Sequence, residues 1–283
     1  MAWKWINVSS KNPCKICGKP DWCTYSTDGK TLCCMRVSEG AIRQFRNGGW
    51  MHTLGEPLPP SLLKAEKTKP EPPTDLDWIA LHEQYVHLRT DELLSELSES
   101  LGVSQESLKR VEAGWLGRGN WTFPMRDGRE NIIGLRVRGP RGKYAVRGSR
   151  NGLFIPIGVT SRGKTLLLVC EGPTDCAALL DMGFDAIGRP SCTGGVEMIK
   201  TFLSFSRREV IVMADNDSPK KGPGCLRFRP GQEGALSLAK AIKDDVRAVC
   251  VVKPPKFKDI REWYRAGATK ADVMALVKNT RYL

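Results

Sequence analysis

The sequence predicts an α/β protein, α+β overall, in which a small cysteine-rich module precedes a core of helices and mixed sheets. Three observations carry that prediction. From Thr165 to Val252, short apolar runs alternate with amphipathic stretches; residues 121–157 show strand-like alternation broken by tight turns; and five of the ten cysteines fall within the first 34 residues.

At the start of the chain, Cys14 and Cys17 form a C-x-x-C knuckle, Cys23 follows, and Cys33 and Cys34 lie beyond the turn-forming stretch STDGKT. Two loops brought together by a hairpin supply the four soft ligands that a tetrahedral zinc ion takes, so a zinc-ribbon-like module with one structural zinc is expected. Adjacent residues of a strand point to opposite faces. Cys34 is therefore the expected fourth ligand beside Cys14, Cys17 and Cys23, with Cys33 as its alternative. The sequence shows no signal-peptide pattern and no apolar run of membrane length, which favours a cytoplasmic, reduced setting where clustered cysteines bind metal. Trp3, Trp5, Trp22, Tyr25, Phe45 and Trp50 are interleaved with Lys4, Lys15, Lys19, Lys30, Arg36, Arg43 and Arg46. That mixture suits stacking on unpaired bases and holding phosphates, although several of these aromatics must also form the module's core.

Residues 56–74 contain six prolines, several charges and no apolar period, and read as an extended linker. From Asp75 to Gly114 the pattern is helical. Trp78, Ile79, Tyr85, Val86 and Leu88 recur at near-helical spacing; a second helix is capped by Thr90 and stopped at Gly102; a third, in SQESLKRVEAGW, is expected to run to Gly114. His82 and His87 read as surface or packing residues, because no Ser or Cys is placed to work with them. An antiparallel meander follows, with turns at Asp127-Gly128 and at GPRG. Arg136 and Arg138 lie two apart and share a face, and Lys143 and Arg147 are expected to arrive on the neighbouring strand. Guanidinium forks on such a face suit phosphates.

Charge agrees. The chain holds 44 Lys plus Arg against 31 Asp plus Glu, a formal +13, and the excess is concentrated: residues 126–150 carry eight bases and two acids, residues 75–112 nine acids and three bases. A polyanionic partner such as nucleic acid is the expected reason.

The stretch GVTSRGKT, residues 158–165, matches the phosphate-loop pattern G-x-x-x-x-G-K-[ST], whose mechanism requires a helix to leave the loop. What leaves is the apolar run TLLLVC, a buried strand. An ATP site is therefore not expected here. Alternation then continues through PTDCAALLDMG, FDAIGRP, GVEMIKTFLSF, EVIVMAD, GQEGALSLAKAIKDD and VRAVCVV, which reads as a parallel sheet with helical crossovers. In such sheets chemistry collects at the carboxyl ends of strands. Glu171 ends one strand, and Asp215 and Asp217 end another. A lone D-x-D also reads as a polar turn, but three carboxylates converging from separate strand ends call for a cation such as magnesium, which takes a few carboxylate oxygens at about 2.1 Å and keeps room for substrate phosphates.

The order CEGPTD, SCTGG, VIVMADND resembles the TOPRIM fold shared by primases and topoisomerases, and TFPMRDGRENIIGLRVRGPRGKY resembles the element just before it in bacterial DnaG-type primases. With the cysteine module in front, the layout is similar to that of a DnaG-type primase or the primase half of phage primase-helicases. The resemblance implies an enzyme that makes short RNA primers on single-stranded DNA from ribonucleoside triphosphates, with magnesium or manganese as catalytic metal. It implies that Glu171, Asp215 and Asp217 are catalytic and metal-binding, that Asp175 and Asp259 support them, and that Arg138, Lys143 and Lys258 face nucleotide and template, a set to which the shared basic face of the meander adds Arg136 and Arg147. Arg261 stands where the family's pattern has a second Asp. The insertion SPKKGPGCLRFRP adds four bases and no acid.

The expected organisation is a zinc module (1–55), linker (56–74), basic subdomain (75–160), TOPRIM domain (161–255) and helical tail (256–283), with any helicase on a separate chain and no membrane partner. Two other readings stay open: a metal-dependent TOPRIM nuclease, and a non-catalytic zinc-containing protein that binds single-stranded DNA.

Overall fold

A five-stranded antiparallel sheet organises the cysteine-rich end of the chain. In this computed structural model the described residues are 5–45, 48–58, 76–163, 165–204, 206, 208–221 and 227–283. The sheet contains β1 (Trp5–Asn7), β2 (Thr24–Ser26), β3 (Thr31–Cys34), β4 (Arg43–Gln44) and β5 (Trp50–Thr53), in the order β1-β2-β3-β5-β4. The β2–β3 turn is held by Ser26, whose hydroxyl donates to Asp28 Oδ1 at 2.6 Å, while Gly29 takes the left-handed conformation (φ 70°) that a side chain would resist. Val8, Tyr25, Leu32, Leu54 and Leu58 pack with Cys14, Cys23 and Cys34 into a core of eight buried residues. Three of the eight are cysteines, so apolar burial alone supplies little. The chain remains packed as far as Leu58, and the rest of the expected linker, from 59 to 74, lies outside the described residues. So do Trp3, Lys4 and Arg46.

The chain divides into two units, Met1–Pro72 with Lys221–Arg227, and Pro73–Lys220 with Phe228–Leu283. The second begins with three helices, α1 (Trp78–His87), α2 (Asp91–Leu101) and α3 (Gln105–Arg110). Side chains of Asp77, Thr90 and Ser104 cap their N-termini, and Gly102 ends α2 in the left-handed conformation. Two expectations are corrected here. The third helix does not reach Gly114: it stops at Arg110, Glu112 turns to φ 55°, and Gly114 opens a strand. The apolar spacing of α1 also misidentifies its inner face, because Ile79 and Leu88 are exposed while His82 is the buried residue of that helix.

Next come β6 (Gly114–Gly117), β7 (Asn120–Arg126), β8 (Ile132–Gly139) and β9 (Gly142–Ala145), a four-stranded antiparallel meander in sequence order. The register pairs Arg138 with Lys143 and Arg136 with Ala145. Arg147 lies past the end of β9 and so does not arrive on the strand as expected.

The rest of the unit is a parallel sheet with crossover helices: β10 (Leu167–Glu171), α4 (Gly172–Asp181), β11 (Asp185–Arg189), α5 (Val196–Leu203), β12 (Glu209–Met213), α6 (Pro230–Ile242) and β15 (Ala248–Val252). The two-residue strands β13 (Lys220–Lys221) and β14 (Arg227–Phe228) belong to the basic insertion, of which residues 222–226 lie outside the described residues. The parallel order is β11-β10-β12-β15, so the chain reverses its direction of winding between β10 and β12. Leu167, Leu168, Val169, Val210, Ile211 and Val249 are fully buried, each contributing about 1.5–3 kcal/mol. Asp181, at the end of α4, accepts from Ser104 N (2.7 Å) and Ser107 Oγ (2.6 Å), tying the helical part of the unit to the sheet. The tail forms α7 (Ile260–Arg265) and α8 (Lys270–Lys278). Among the described residues no helix is long and apolar enough to cross a membrane.

The phosphate-loop look-alike is accounted for by Arg208. This arginine, 2% exposed, donates to the carbonyls of Thr160 and Thr165 (2.7 Å each) and to Thr165 Oγ1 (2.8 Å), and pairs with Asp185. A strand, not a helix, follows. Arg208→Ala is expected to lower stability in urea unfolding by about 3 kcal/mol or more, because it strands those acceptors and the Asp185 carboxylate. Although burial opposes ionisation of Asp185, Thr165 and Arg208 hold its carboxyl below the usual range. The pair's contribution is therefore present above the ordinary aspartate range, near pH 4, and is lost as pH falls through the lower folded value.

Candidate active site

Glu171 is the last residue of β10 and the N-cap of α4, and the left-handed Gly172 that follows (φ 79°) lets the strand turn directly into the helix. One turn into α4, Asp175 is buried. Asp215 and Asp217 sit in the loop leaving β12, the strand that neighbours β10. The switch of winding between these two strands opens the crevice into which both loops project.

The β12 loop is held from two sides. The Gly231 amide, in the first turn of α6, donates to Asp217 Oδ2 at 3.1 Å. A Cβ at position 231 would lie 2.6 Å from the Asp215 carbonyl oxygen, so only glycine allows this approach. On the other side Asn216 N donates to Lys258 O at 2.6 Å and Asn216 Nδ2 to Pro254 O at 3.3 Å. These bonds place Lys258 and Asp259, the N-cap of α7, beside the aspartates.

The electrostatics show which groups face one another. Burial, then Glu171, Asp259 and Asp217, push the Asp215 carboxyl up to about 7 against the pull of Lys258. Burial also raises Glu171, with Asp217 adding to the effect and Arg189 and Lys143 opposing it. Asp175 is raised well above its ordinary value by burial, Asp259 and Asp215, against Arg261 and Lys143. Arg138 is pulled down by burial and by Arg261, and supported by Asp175 and Asp259. Thus all five expected carboxylates, Glu171, Asp175, Asp215, Asp217 and Asp259, gather with Arg138, Lys143 and Lys258. Buried oxygens of Glu171 (Oε1) and Asp175 (Oδ1) lack a hydrogen-bond partner. A crowded hard-oxygen set with unspent acceptors is the donor chemistry that magnesium or manganese takes.

The thiolate centre is tighter. Sulfurs of Cys14, Cys17, Cys23 and Cys34 all lie within 4.8 Å of one another, with Cys17–Cys23 at 3.7 Å and Cys23–Cys34 at 4.0 Å. Zinc–sulfur bonds of about 2.3 Å in a tetrahedron require sulfurs about 3.8 Å apart, so the set fits zinc. Amides of Cys17, Met35 and Val37 donate to Cys14, Cys23 and Cys34 sulfur, each at 3.4 Å, and the Arg36 guanidinium lies 3.8 Å from the sulfurs of Cys17 and Cys23. At Cys17 burial opposes ionisation, but the Lys19 amide, the neighbouring sulfurs and Arg36 bring the thiol down to about 7. Among the described residues no three carboxylates stand as close together as these thiols do. The acidic site is wider.

No family model matches the chain, and no curated protein matches it. Solved structures do. The DnaG primase catalytic domain bound to single-stranded DNA is 17% identical, with a TM-score of 0.54 over 72% of this chain and 78% of that one. The E. coli primase catalytic core is 17% identical, with a TM-score of 0.54 over 73% and 80%. The zinc-binding and RNA polymerase domains of the Aquifex aeolicus primase are 15% identical, with a TM-score of 0.56 over 73% and 60%. The chain has the primase catalytic-core fold.

Within this primase fold some expected residues stand apart from the carboxylates. Arg136 donates instead to Asn151 Oδ1 at 2.9 Å. Cys33 is buried, pairs with Thr24 and Met51 across the sheet, and stays outside the sulfur cluster. Tyr25 is part of the zinc module's core, its hydroxyl donating to Pro13 O at 2.7 Å, and Trp5 packs edge-on against Phe45. Among the described aromatics of the module Trp22 is the most exposed, at 78%, and is held at φ 68°. Sequence reasoning missed Arg189. This residue, 2% exposed, ends β11, is the register partner of Glu171, lies 3.7 Å from its carboxylate and donates to Gly234 O at 3.3 Å. FDAIGRP was legible as a strand, and the sheet order would have placed its last residue beside Glu171.

Proposed function

We propose that the protein is a DNA primase, an RNA polymerase that joins ribonucleotides on a single-stranded DNA template. The observation that carries this reading is the gathering of Glu171, Asp215 and Asp217 at the winding switch of a primase-fold sheet, faced by Arg138, Lys143 and Lys258. A 3′-hydroxyl oxygen bonds to the α-phosphorus of the incoming nucleotide, the bond to the bridging oxygen breaks, pyrophosphate leaves, and the hydroxyl proton passes to solvent. Magnesium or manganese held by Asp215, Asp217 and Glu171 would supply charge neutralisation at the attacking and leaving oxygens. Asp175 and Asp259 back these groups from α4 and the start of α7. Arg138 and Lys143, paired across β8 and β9, hold phosphates of nucleotide and template in line, and Lys258 serves the same end from the α7 loop.

The zinc module (1–55) then selects a template site, the segment 56–74 tethers it, and the basic subdomain (75–160), TOPRIM domain (161–255) and tail (256–283) form the polymerase. Protein, single-stranded template, magnesium and labelled ribonucleotides should yield short RNA on a denaturing gel. Template cleavage without ribonucleotide incorporation would overturn the reading in favour of a nuclease.

Lys143→Ala is expected to weaken template binding without a change in sequence preference. Fluorescence anisotropy over a salt series should show log K falling less steeply with log salt, by about 0.7 for each single-strand phosphate that position 143 no longer neutralises. An unchanged slope would remove Lys143 from the template path.

A further inference from the structure

Arg189 carries a charge that no substrate phosphate can reach. Lys143 and Lys258 are exposed and Arg138 is half-buried, whereas Arg189 is 2% exposed. Its guanidinium stays protonated at any working pH. Burying such a group costs more than one loose ion pair returns, so its presence is weak evidence of a stabilising role. The backbone beneath it is fixed from both sides. Gly188 and Phe154 exchange two hydrogen bonds, at 2.7 and 2.8 Å, and a Cβ at position 188 would lie 2.5 Å from Gly172 O, so β11 is pressed against the turn that follows Glu171.

From there the side chain reaches oxygens on two different elements. Nη2 lies 3.7 Å from Glu171 Oε1, and Nη1 donates to Gly234 O at 3.3 Å. Gly234 belongs to α6, the helix whose Gly231 amide holds Asp217. Burial opposes the charge of Arg189, while Glu171, Cys192 and Asp215 support it, so Asp215 faces it too. Two near oxygens and a third group at longer range, all turned on one buried positive charge, make the kind of hard-oxygen set that a divalent ion takes. Here a guanidinium fills it. The contact with Glu171 is an ion pair without a hydrogen bond, and Oε1 has no other partner. The carboxylate is therefore aimed but not consumed, and Oε2 is left to share with an ion on the Asp215 side. Elsewhere in the crevice Arg261, anchored to Leu101 O at 3.3 Å, offsets Asp175.

We propose that Arg189 is a built-in counter-ion: it occupies the place of a second divalent ion beside Glu171, holds that carboxylate toward Asp215, and limits the crevice to one ion at Asp215 and Asp217. This rests on the reading of the crevice as the seat of the catalytic metal. With a single ion, charge developing on the leaving oxygens falls to Arg138, Lys143 and Lys258, which face the same carboxylates.

Manganese binding to the zinc-loaded full chain, without nucleotide or template, tests this through the electron spin resonance signal of the free ion. Wild type should bind one Mn2+ per chain, and Asp215→Ala should bind it at least about tenfold more weakly. Arg189→Ala should bind two, and Mn2+ should raise its melting temperature more than that of wild type. Arg189→Lys, which keeps the charge, should return to one ion, and so should the double variant Glu171→Gln/Arg189→Ala, which removes both charges. A merely structural role for Arg189 predicts no such return, because the bond to Gly234 O is still missing in the double variant. Two ions on wild type would overturn the proposal even if Arg189→Ala did not fold, as would a single ion on folded Arg189→Ala or two on the double variant. Absence of any Mn2+ binding that depends on Asp215 would instead overturn the metal reading of the crevice, and this proposal with it.

Discussion

On the proposed function, Asp215→Ala is expected to abolish primer synthesis and to leave the protein at least as heat-stable as before. The first half follows from position: Asp215 stands among Glu171, Asp217 and Asp259, where removing one donor of a preorganised charge site costs a factor of about 10³. The second half follows from the sign of the electrostatics. A carboxyl pushed up to about 7 by burial and like charges is harder to ionise in the folded chain than in the unfolded one. At neutral pH and above it therefore opposes folding, and its removal relieves that opposition. Asp217→Ala should be equally inactive but less stable than Asp215→Ala, because Asp217 also receives the Gly231 amide at the start of α6. Primer gels and melting curves for both variants check the two halves separately. Activity within tenfold of wild type in Asp215→Ala would remove this aspartate from the chemistry.

Cys34→Ser is expected to empty the zinc centre and unfold the first unit, while Cys33→Ser should keep the metal. The two cysteines are chain neighbours and both are buried, so burial alone would rank them equally. Only Cys34 joins the four-sulfur set. Structural zinc supplies about 10–16 kcal/mol of apparent binding free energy, more than a core of eight residues with three cysteines among them can replace. Metal content measured with a colour-forming chelator, together with circular dichroism, should separate the variants. A separate melting transition for the second unit should persist in Cys34→Ser. Retention of zinc by Cys34→Ser and its loss from Cys33→Ser would reverse the assignment.

The parallel sheet and its acidic edge were legible because β10, β12 and β15 are short continuous apolar runs, and because strand ends in such sheets gather polar groups wherever the neighbours lie. Hence Glu171 and the Asp215/Asp217 pair could be named before their neighbours were known. Arg189 was not, since its importance depends on which strand lies beside β10, and apolar pattern carries no strand order. The inner face of α1 was misread for a similar reason. Counting apolar residues favours Ile79 and Leu88, but the buried position went to His82, whose partner Glu112 is 30 residues away in sequence. Only the strand position expected for Arg147 failed, by a small margin of length: β9 ends at Ala145, before the arginine could join its neighbours on the strand.

The Arg208 clamp bears on where a nucleotide could be held. The carbonyls of Thr160 and Thr165 and the Thr165 hydroxyl are committed to one guanidinium, in a turn that sequence letters alone would assign to a nucleotide-hydrolysing engine. That turn is wired shut from within. On the proposed reading, the energy for joining monomers at the acidic crevice comes from the phosphoanhydride bond of each nucleotide added, and not from residues 158–165.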